Sequence, residues 1–140
     1  MHHWLIKSDP GEYSAHDLAR DKKTEWTGVS NPTALKHLRA MTTGDAVLVY
    51  HTGDERAIVA TATIGSRPRP DPRDKSGKAT VVDVEFGRWL AKPVPLSDIK
   101  ADPAFAQFDL VRISRLSVMP VSPAHWRRIL KLAGESDEAR

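Results

Sequence analysis

The chain has no cysteine among its 140 residues. That excludes a disulfide framework, a thiolate zinc site and a cysteine nucleophile. No apolar run approaches the ~20 residues that a membrane-spanning helix needs. Charge of one sign is also scarce: 21 basic residues stand against 18 acidic ones, a formal +3. This bias is compatible with nucleic acid but much weaker than a basic tail or stripe. The opening MHHWLIKSDP carries neither a long apolar segment nor a small-residue cleavage site. No signal peptide is therefore expected, and the expected location is cytoplasmic.

Catalytic fingerprints are missing too. There is no GxSxG, P-loop or GxGxxG run, the patterns that would announce a hydrolase elbow or a phosphate cradle. The six histidines (His2, His3, His16, His37, His51 and His125) include no pair at helical ligand spacing, whereas a metal needs three or four convergent ligands. No metal and no cofactor are expected. Paired carboxylates on one element are absent apart from the loop pair Asp54-Glu55, read as solvated. Serine, histidine and aspartate are all present, but a triad is recognised by geometry. Nothing here specifies an enzyme.

What is present reads as one domain over residues 1–134, with the tail 135–140 expected to fray. Hydrophobic residues make up 40% and charged residues 28%, ordinary for a globular chain. His2 to Lys7 reads as a strand, and Ser14 with Asp17 resembles a capping box that opens a short helix. Asn31-Pro32 opens a second helix to about Met41. AVLVYH (46–51) and AIVATATI (57–64) read as paired strands. Residues 66–78 hold three prolines and seven charged residues and read as a mobile loop. A long strand is predicted from Ala79 to Leu90, then two helical turns, then one or two strands over 111–121. Ser122-Pro123 opens a last helix that Gly134 ends. Strands outnumber helices without strict alternation, so the predicted fold is α+β, mainly β: a small, mixed or mostly antiparallel barrel with short helices in its connections.

The four tryptophans raise the question of an aromatic platform. Trp126 lies on an apolar helical stripe and reads as core. Trp89 ends a strand and reads as packing or rim. Trp4 suits core or pocket. Trp26 has no evident regular element to bury it, and the pocket reading is preferred. Tyr50 is core unless it lines the same pocket. Arg115 beside Ser117 suits a phosphate or carboxylate, while Arg112 reads as an ordinary surface arginine.

Several segments then match one family in order. HWLIKSDPGEYSAHDL resembles the opening of EVE-domain proteins. WTGVSNPTALKHLRAMTTGDAVLVYHT resembles their Trp-Asp-Gly-Val-Arg-Asn segment, the helix after it and the Tyr-His strand end. FDLVRISRLSVMPVSPAHWRRIL resembles their closing strand and final helix. The resemblance covers nearly the whole chain and extends to many bacterial proteins of this size. It implies a PUA-like pseudo-barrel and a non-catalytic module that takes a modified base of DNA or RNA into an aromatic pocket. Carried over by position, the implied pocket residues are Trp4, Lys7, Ser8, Trp26, Gly28, Val29, Ser30, Asn31, Tyr50, Arg115 and Ser117. Trp4 and Trp26 would be its walls, and Lys7 would meet a phosphate at the rim. A monomer is expected. The chain departs from the pattern at Thr27 (usually Asp), Ser30 (usually Arg) and Pro32 (frequently Tyr), positions that could set ligand preference. A basic rim from Lys7, Arg39, Arg115 and the 67–73 loop is expected for a nucleic-acid reader. The alternative is a binder of a free nucleotide or other small anion, possibly hydrolytic, with Asp9 or His51 as the reactive group.

Overall fold

The computed structural model describes residues 2–135. In chain order the elements are β1 (His3–Ser8), α1 (Ala15–Asp21), β2 (Lys23–Trp26), α2 (Pro32–Arg39), β3 (Ala46–His51), β4 (Ala57–Ile64) and β5 (Arg69–Pro70). There follow β6 (Thr80–Pro95), α3 (Leu96–Ala101), a 3-10 turn (Pro103–Phe105), α4 (Asp109–Arg112), β7 (Val118–Val121) and α5 (Pro123–Leu132).

The strands form one mixed sheet in the order β2-β6-β4-β3-β1-β7, with β5 added to β6. Only β1 and β3 run parallel; the other ladders are antiparallel. One face of β1 packs on α2, with the Trp4 and His37 rings 6.0 Å apart, and the other on α5, with the His3 and Trp126 rings 4.6 Å apart, so Trp4, Leu5 and Ile6 are all buried rather than alternating with solvent. No ladder joins β2 to β7 among the described residues, so the barrel is not closed. Instead α2 packs on both β6 and β7, near opposite ends of the strand order. Its buried face, Ala34, Leu35 and Leu38, covers the open seam. The sheet curls toward closure with the help of register shifts in β4–β6. At one of them Gly87 is required: a Cβ there would stand 2.7 Å from Thr61 Oγ1 and 2.9 Å from its carbonyl oxygen, closer than packing allows.

Local signals explain the helix starts. Ser14 and Asp17 form the reciprocal capping box, Asp17 N–H to Ser14 Oγ at 3.0 Å and Ser14 N–H to Asp17 Oδ2 at 2.8 Å. Asn31 Oδ1 accepts from Thr33 and Ala34 N–H at 2.9 and 3.0 Å, and Ser122 Oγ accepts from His125 N–H at 3.1 Å. Each cap satisfies donors that a helix start leaves without partners.

Five local expectations change. Trp26 is not outside regular structure: it ends β2, opposite Val82 of β6, an edge strand too short and polar to show a period. β6 runs on to Pro95, five residues past the predicted end. Its last part pairs only with β4, so prolines on the other side cost no ladder bond. The 111–121 stretch is a helical turn and a loop before the short β7, so Arg112 lies in α4 and Arg115 in the loop. The 66–78 segment is tied down rather than mobile. Arg69 bridges Glu25 at 2.6 Å and Asp83 at 2.9 Å, Arg73 reaches Glu25, and Asp74 accepts Ala79 N–H at 2.7 Å. Finally, Glu135 does not fray. Its carboxylate pairs with Arg88 and accepts Ala91 N–H at 2.7 Å. The rest of the expected tail, 136–140, lies outside the described residues.

Candidate functional site

Where the sheet fails to close, the ends of β1 and β2 and the loops before α2 and β7 border a cleft of about 670 Å3. From β1 and the turn after it come Lys7, Ser8, Asp9, Glu12 and Tyr13. β2 and its following loop supply Thr24 through Asn31, including Trp26, Gly28, Val29 and Ser30. The far wall is Ser114, Arg115 and Ser117. The structure thus gathers nine of the eleven sequence-derived positions around one concavity.

Trp4 and Tyr50 are not among them. Trp4 is 5% exposed, and its indole N–H donates to the buried Asp45 carboxylate at 2.9 Å. It is a core residue facing the Asp45 turn, because α2 packs over its face of β1, with the His37 ring 6.0 Å away. Tyr50 is likewise buried at 3% exposure, with the Lys7 ammonium 5.8 Å above its ring. Trp26 pairs instead with Tyr13, ring centroids 6.4 Å apart and planes at 83°. This edge-to-face contact is a favoured aromatic geometry. The Tyr13 hydroxyl donates to Asp21 Oδ2 at 2.8 Å. Burial, with Asp21 adding to it, holds the phenol above its ordinary range, so it stays a neutral donor. Tyr13 was visible in the sequence only as the Tyr of a Tyr-Ser pair; nothing in its spacing marked it as a wall.

The turn that carries Tyr13 is braced. The buried Ser8 hydroxyl donates to the Tyr13 carbonyl, and Asp9 carbonyl accepts from Glu12 and Tyr13 N–H at 2.9 and 2.8 Å. Across the cleft, Lys7 holds the other wall twice. Its N–H donates to Ser117 carbonyl at 2.9 Å and its ammonium to Ser114 carbonyl at 2.8 Å. Arg115 lies between those two anchors, exposed, and its guanidinium makes no hydrogen bond or ion pair among the described residues. Burial lowers the Lys7 pKa, and no carboxylate offsets it. An anion bound nearby would relieve that cost.

Donors face few competitors in the loop before α2. Gly28 adopts φ +81°, with nothing within 4 Å of where a Cβ would sit. The backbone N–H groups of Gly28, Val29 and Ser30 have no acceptor among the described residues. Asn31 spends its Oδ1 on the helix cap, which leaves its amide N–H2 unused. Aromatic wall, unpaired N–H donors and a braced cation can hold a planar ring with acceptors on its edge and an anionic substituent.

The basic rim is narrower than expected. Arg39 is absent from the cleft: it binds Thr80 Oγ1 at 3.1 Å and Lys78 carbonyl at 2.6 Å. Arg69 and Arg73 are committed to Glu25. Lys7 and Arg115 therefore face Asp9 and Glu12, a mixed rim. His51 is not placed for chemistry. It is buried; Nε2 accepts Ala15 N–H at 2.9 Å and Nδ1 meets Glu55 Oε1 at 2.7 Å, so both nitrogens are engaged.

Known proteins share this architecture. The NMR structure of Rpa0253 from Rhodopseudomonas palustris superposes with a TM-score of 0.91 at 38% identity, covering 96% of this chain and 94% of that one. Human THYN1 protein, crystallised in complex with 5-methylcytosine containing DNA, gives a TM-score of 0.88 at 27% identity, over 97% of this chain and 99% of that one. Thymocyte nuclear protein 1 of Gallus gallus is 29% identical over 167 residues, spanning 95% of this chain and 69% of that protein. The EVE domain family model matches residues 2–132, and the chain belongs to the EVE-domain family.

Proposed function

We propose that this protein is a non-catalytic reader that binds nucleic acid and takes one modified base into the Trp26 cleft. The base stacks on Trp26, with Tyr13 closing the pocket edge-on. Its edge is read by the N–H groups of Gly28, Val29 and Ser30 and by the Asn31 amide, and its phosphate lies near Arg115 and Lys7. The observation that carries this reading is the free row of backbone donors beside an aromatic wall. Binding of 5-methylcytosine DNA by the human relative supports it. Stacking on one aromatic is worth ~1–3 kcal/mol, which has to offset the few kcal/mol of unstacking a base.

The test is a titration of short oligonucleotides, each carrying one modified base, against unmodified strands. The wild type should prefer at least one modified strand, and Trp26→Ala should lose that preference by roughly 5- to 150-fold, the equivalent of the stacking energy. Equal affinity for all modified and unmodified strands refutes the proposal. A second reading, a binder of free nucleotides, is favoured by the mixed rim: Asp9 and Glu12 beside only two cations. It calls for mononucleotide binding as tight as oligonucleotide binding, with little salt dependence.

A further inference from the structure

We propose that a second depression, at the far end of α2, binds the sugar-phosphate backbone of the same nucleic acid. The inference rests on the nucleic-acid reading of the cleft. The depression measures about 820 Å3, and no aromatic ring lines it. Its lining includes Arg39, Arg67 and Arg69 and no carboxylate. Thr42 and Thr43 add hydroxyls, and Pro68 and Ala79 give it an apolar side.

Arg69 is paired with Glu25 and Asp83, and Arg39 is held by Thr80 and the Lys78 carbonyl, so the unspent charge belongs to two other side chains. Arg67 and Lys78, which sits between the lining residues Gly77 and Ala79, make no side-chain hydrogen bond or ion pair among the described residues. Nearby acids are engaged elsewhere: Asp71 binds Arg73 Nε at 2.8 Å, and Asp74 accepts from Ser76 and Ala79 N–H. The site is also held in shape. Arg39 from α2 clasps Thr80 and the Lys78 carbonyl, so the loop is fixed against the helix. Arginines and a lysine over a shallow, open, non-aromatic floor suit phosphate oxygens rather than a base.

Its position fits one continuous ligand. Glu25 lines the cleft and Arg69 lines the depression, and the two meet at 2.6 Å, so the concavities share a wall. α2 has Asn31 of the cleft before its first turn and Arg39 of the depression at its end. At 1.5 Å per residue that separation is about 12 Å, roughly three to four nucleotide steps along a duplex. A strand whose base enters the cleft would thus carry neighbouring phosphates to Arg67 and Lys78. The arrangement also supplies the cations that the cleft rim lacks.

The experiment titrates a labelled 12-base-pair DNA duplex with one 5-methylcytosine, its unmodified twin, and 5-methyl-dCMP, each at several salt concentrations. The proteins are wild type, Arg67→Gln, Lys78→Gln and the double variant; neither side chain has a partner to lose, and unchanged thermal unfolding checks the fold. The salt slope for both duplexes should become shallower by about one per cation removed. The ratio between duplexes and the affinity for 5-methyl-dCMP should not move. Duplex affinity and slope unchanged in the double variant overturn the inference, even if wild type prefers the modified strand. Conversely, a slope that falls in the variants while wild type shows no base preference supports the depression and counts against the cleft reading. No duplex binding by wild type overturns the inference, while the cleft reading is decided by the oligonucleotide titration above.

Discussion

Trp4 is a core residue because of Asp45, and removing that carboxylate gives a measurable test. Asp45 is 3% exposed. Its Oδ2 accepts from Trp4 Nε1 and Thr42 N–H, both at 2.9 Å, and its Oδ1 from His2 N–H at 3.2 Å. Burial pushes the carboxyl up, but the bonds from Trp4, Thr42 and His2 outweigh it, and the net pKa is below the ordinary carboxylate range. Asp45→Ala leaves a buried indole N–H and a backbone N–H without an acceptor. At ~1–3 kcal/mol for each, the cost is about 2–6 kcal/mol. At about 3–4 °C per kcal/mol for a chain of this size, the midpoint falls by roughly 6–24 °C. A carboxyl with a depressed folded pKa stabilises above its unfolded pKa of ~3.9 and loses that contribution as pH falls through the folded value. The gap between wild type and Asp45→Ala should therefore be flat above about pH 5 and shrink below about pH 4. Denaturant unfolding followed by tryptophan fluorescence from pH 3 to 7 reads both. Trp4→Phe removes both the donor and part of a buried ring, so it should cost about 2–4 kcal/mol through the lost bond and the space left behind and leave the ligand affinity of the folded protein unchanged. An Asp45→Ala difference under about 1 kcal/mol, or one that does not shrink in acid, refutes the account of Asp45. A tenfold loss of binding by folded Trp4→Phe would make Trp4 a pocket wall after all.

Three other substitutions separate structural from binding roles. Asn31→Ala should cost ~1 kcal/mol through the lost cap, whereas Asn31→Ser keeps a neutral cap but removes the free amide; weaker binding in Asn31→Ser at unchanged stability would show that the amide reads the ligand. Gly28→Ala meets no neighbour but must hold φ +81°, so about 1–2 kcal/mol of strain is expected in thermal unfolding, with no further loss from clash. His51→Phe should cost about 2–3 kcal/mol by stranding Ala15 N–H while leaving binding of folded protein intact; nucleotide turnover that depends on His51 would revive the hydrolytic reading.

Much of the fold was legible because its signals are local. AVLVYH and AIVATATI announced β3 and β4 by composition, and three helix starts were readable from Ser14, Asn31 and Ser122, whose caps form as their spacing requires. What stayed hidden depends on partners distant in sequence. β2 is a strand only because β6 offers it a ladder, and the end of β6 tolerates Pro93 and Pro95 only because one side lacks a neighbour. The stretch around Arg112 alternates like a strand, yet hydrogen bonds from Arg112 and Ile113 N–H back to Phe108 and Asp109 make it a helical turn. The 66–78 loop looked mobile from its prolines and charges, but Arg69, Asp71 and Arg73 are paired, and both arginines cross to Glu25.

The site followed the same division. Positions contributed by one continuous loop, Trp26 to Asn31, were found together because chain continuity alone keeps them near each other. Trp4 was misplaced because whether a strand residue's face is wet depends on what packs over the sheet, which the strand's own sequence does not show. α2 covers the Trp4 face and α5 the opposite one, and the indole turns to Asp45 rather than to solvent. Tyr13, from the turn after β1, supplies the second ring instead. The open seam explains why these parts meet. A closed barrel would have spent backbone donors here on a β2–β7 ladder; instead α2 covers the seam with its side chains and leaves the N–H groups of Gly28, Val29 and Ser30 unpaired among the described residues. The cleft is thus a consequence of incomplete closure. Ser30 gives those donors no neighbouring side-chain cation. Arg115, braced on both sides by Lys7, is the free guanidinium that remains to meet a ligand's charge there.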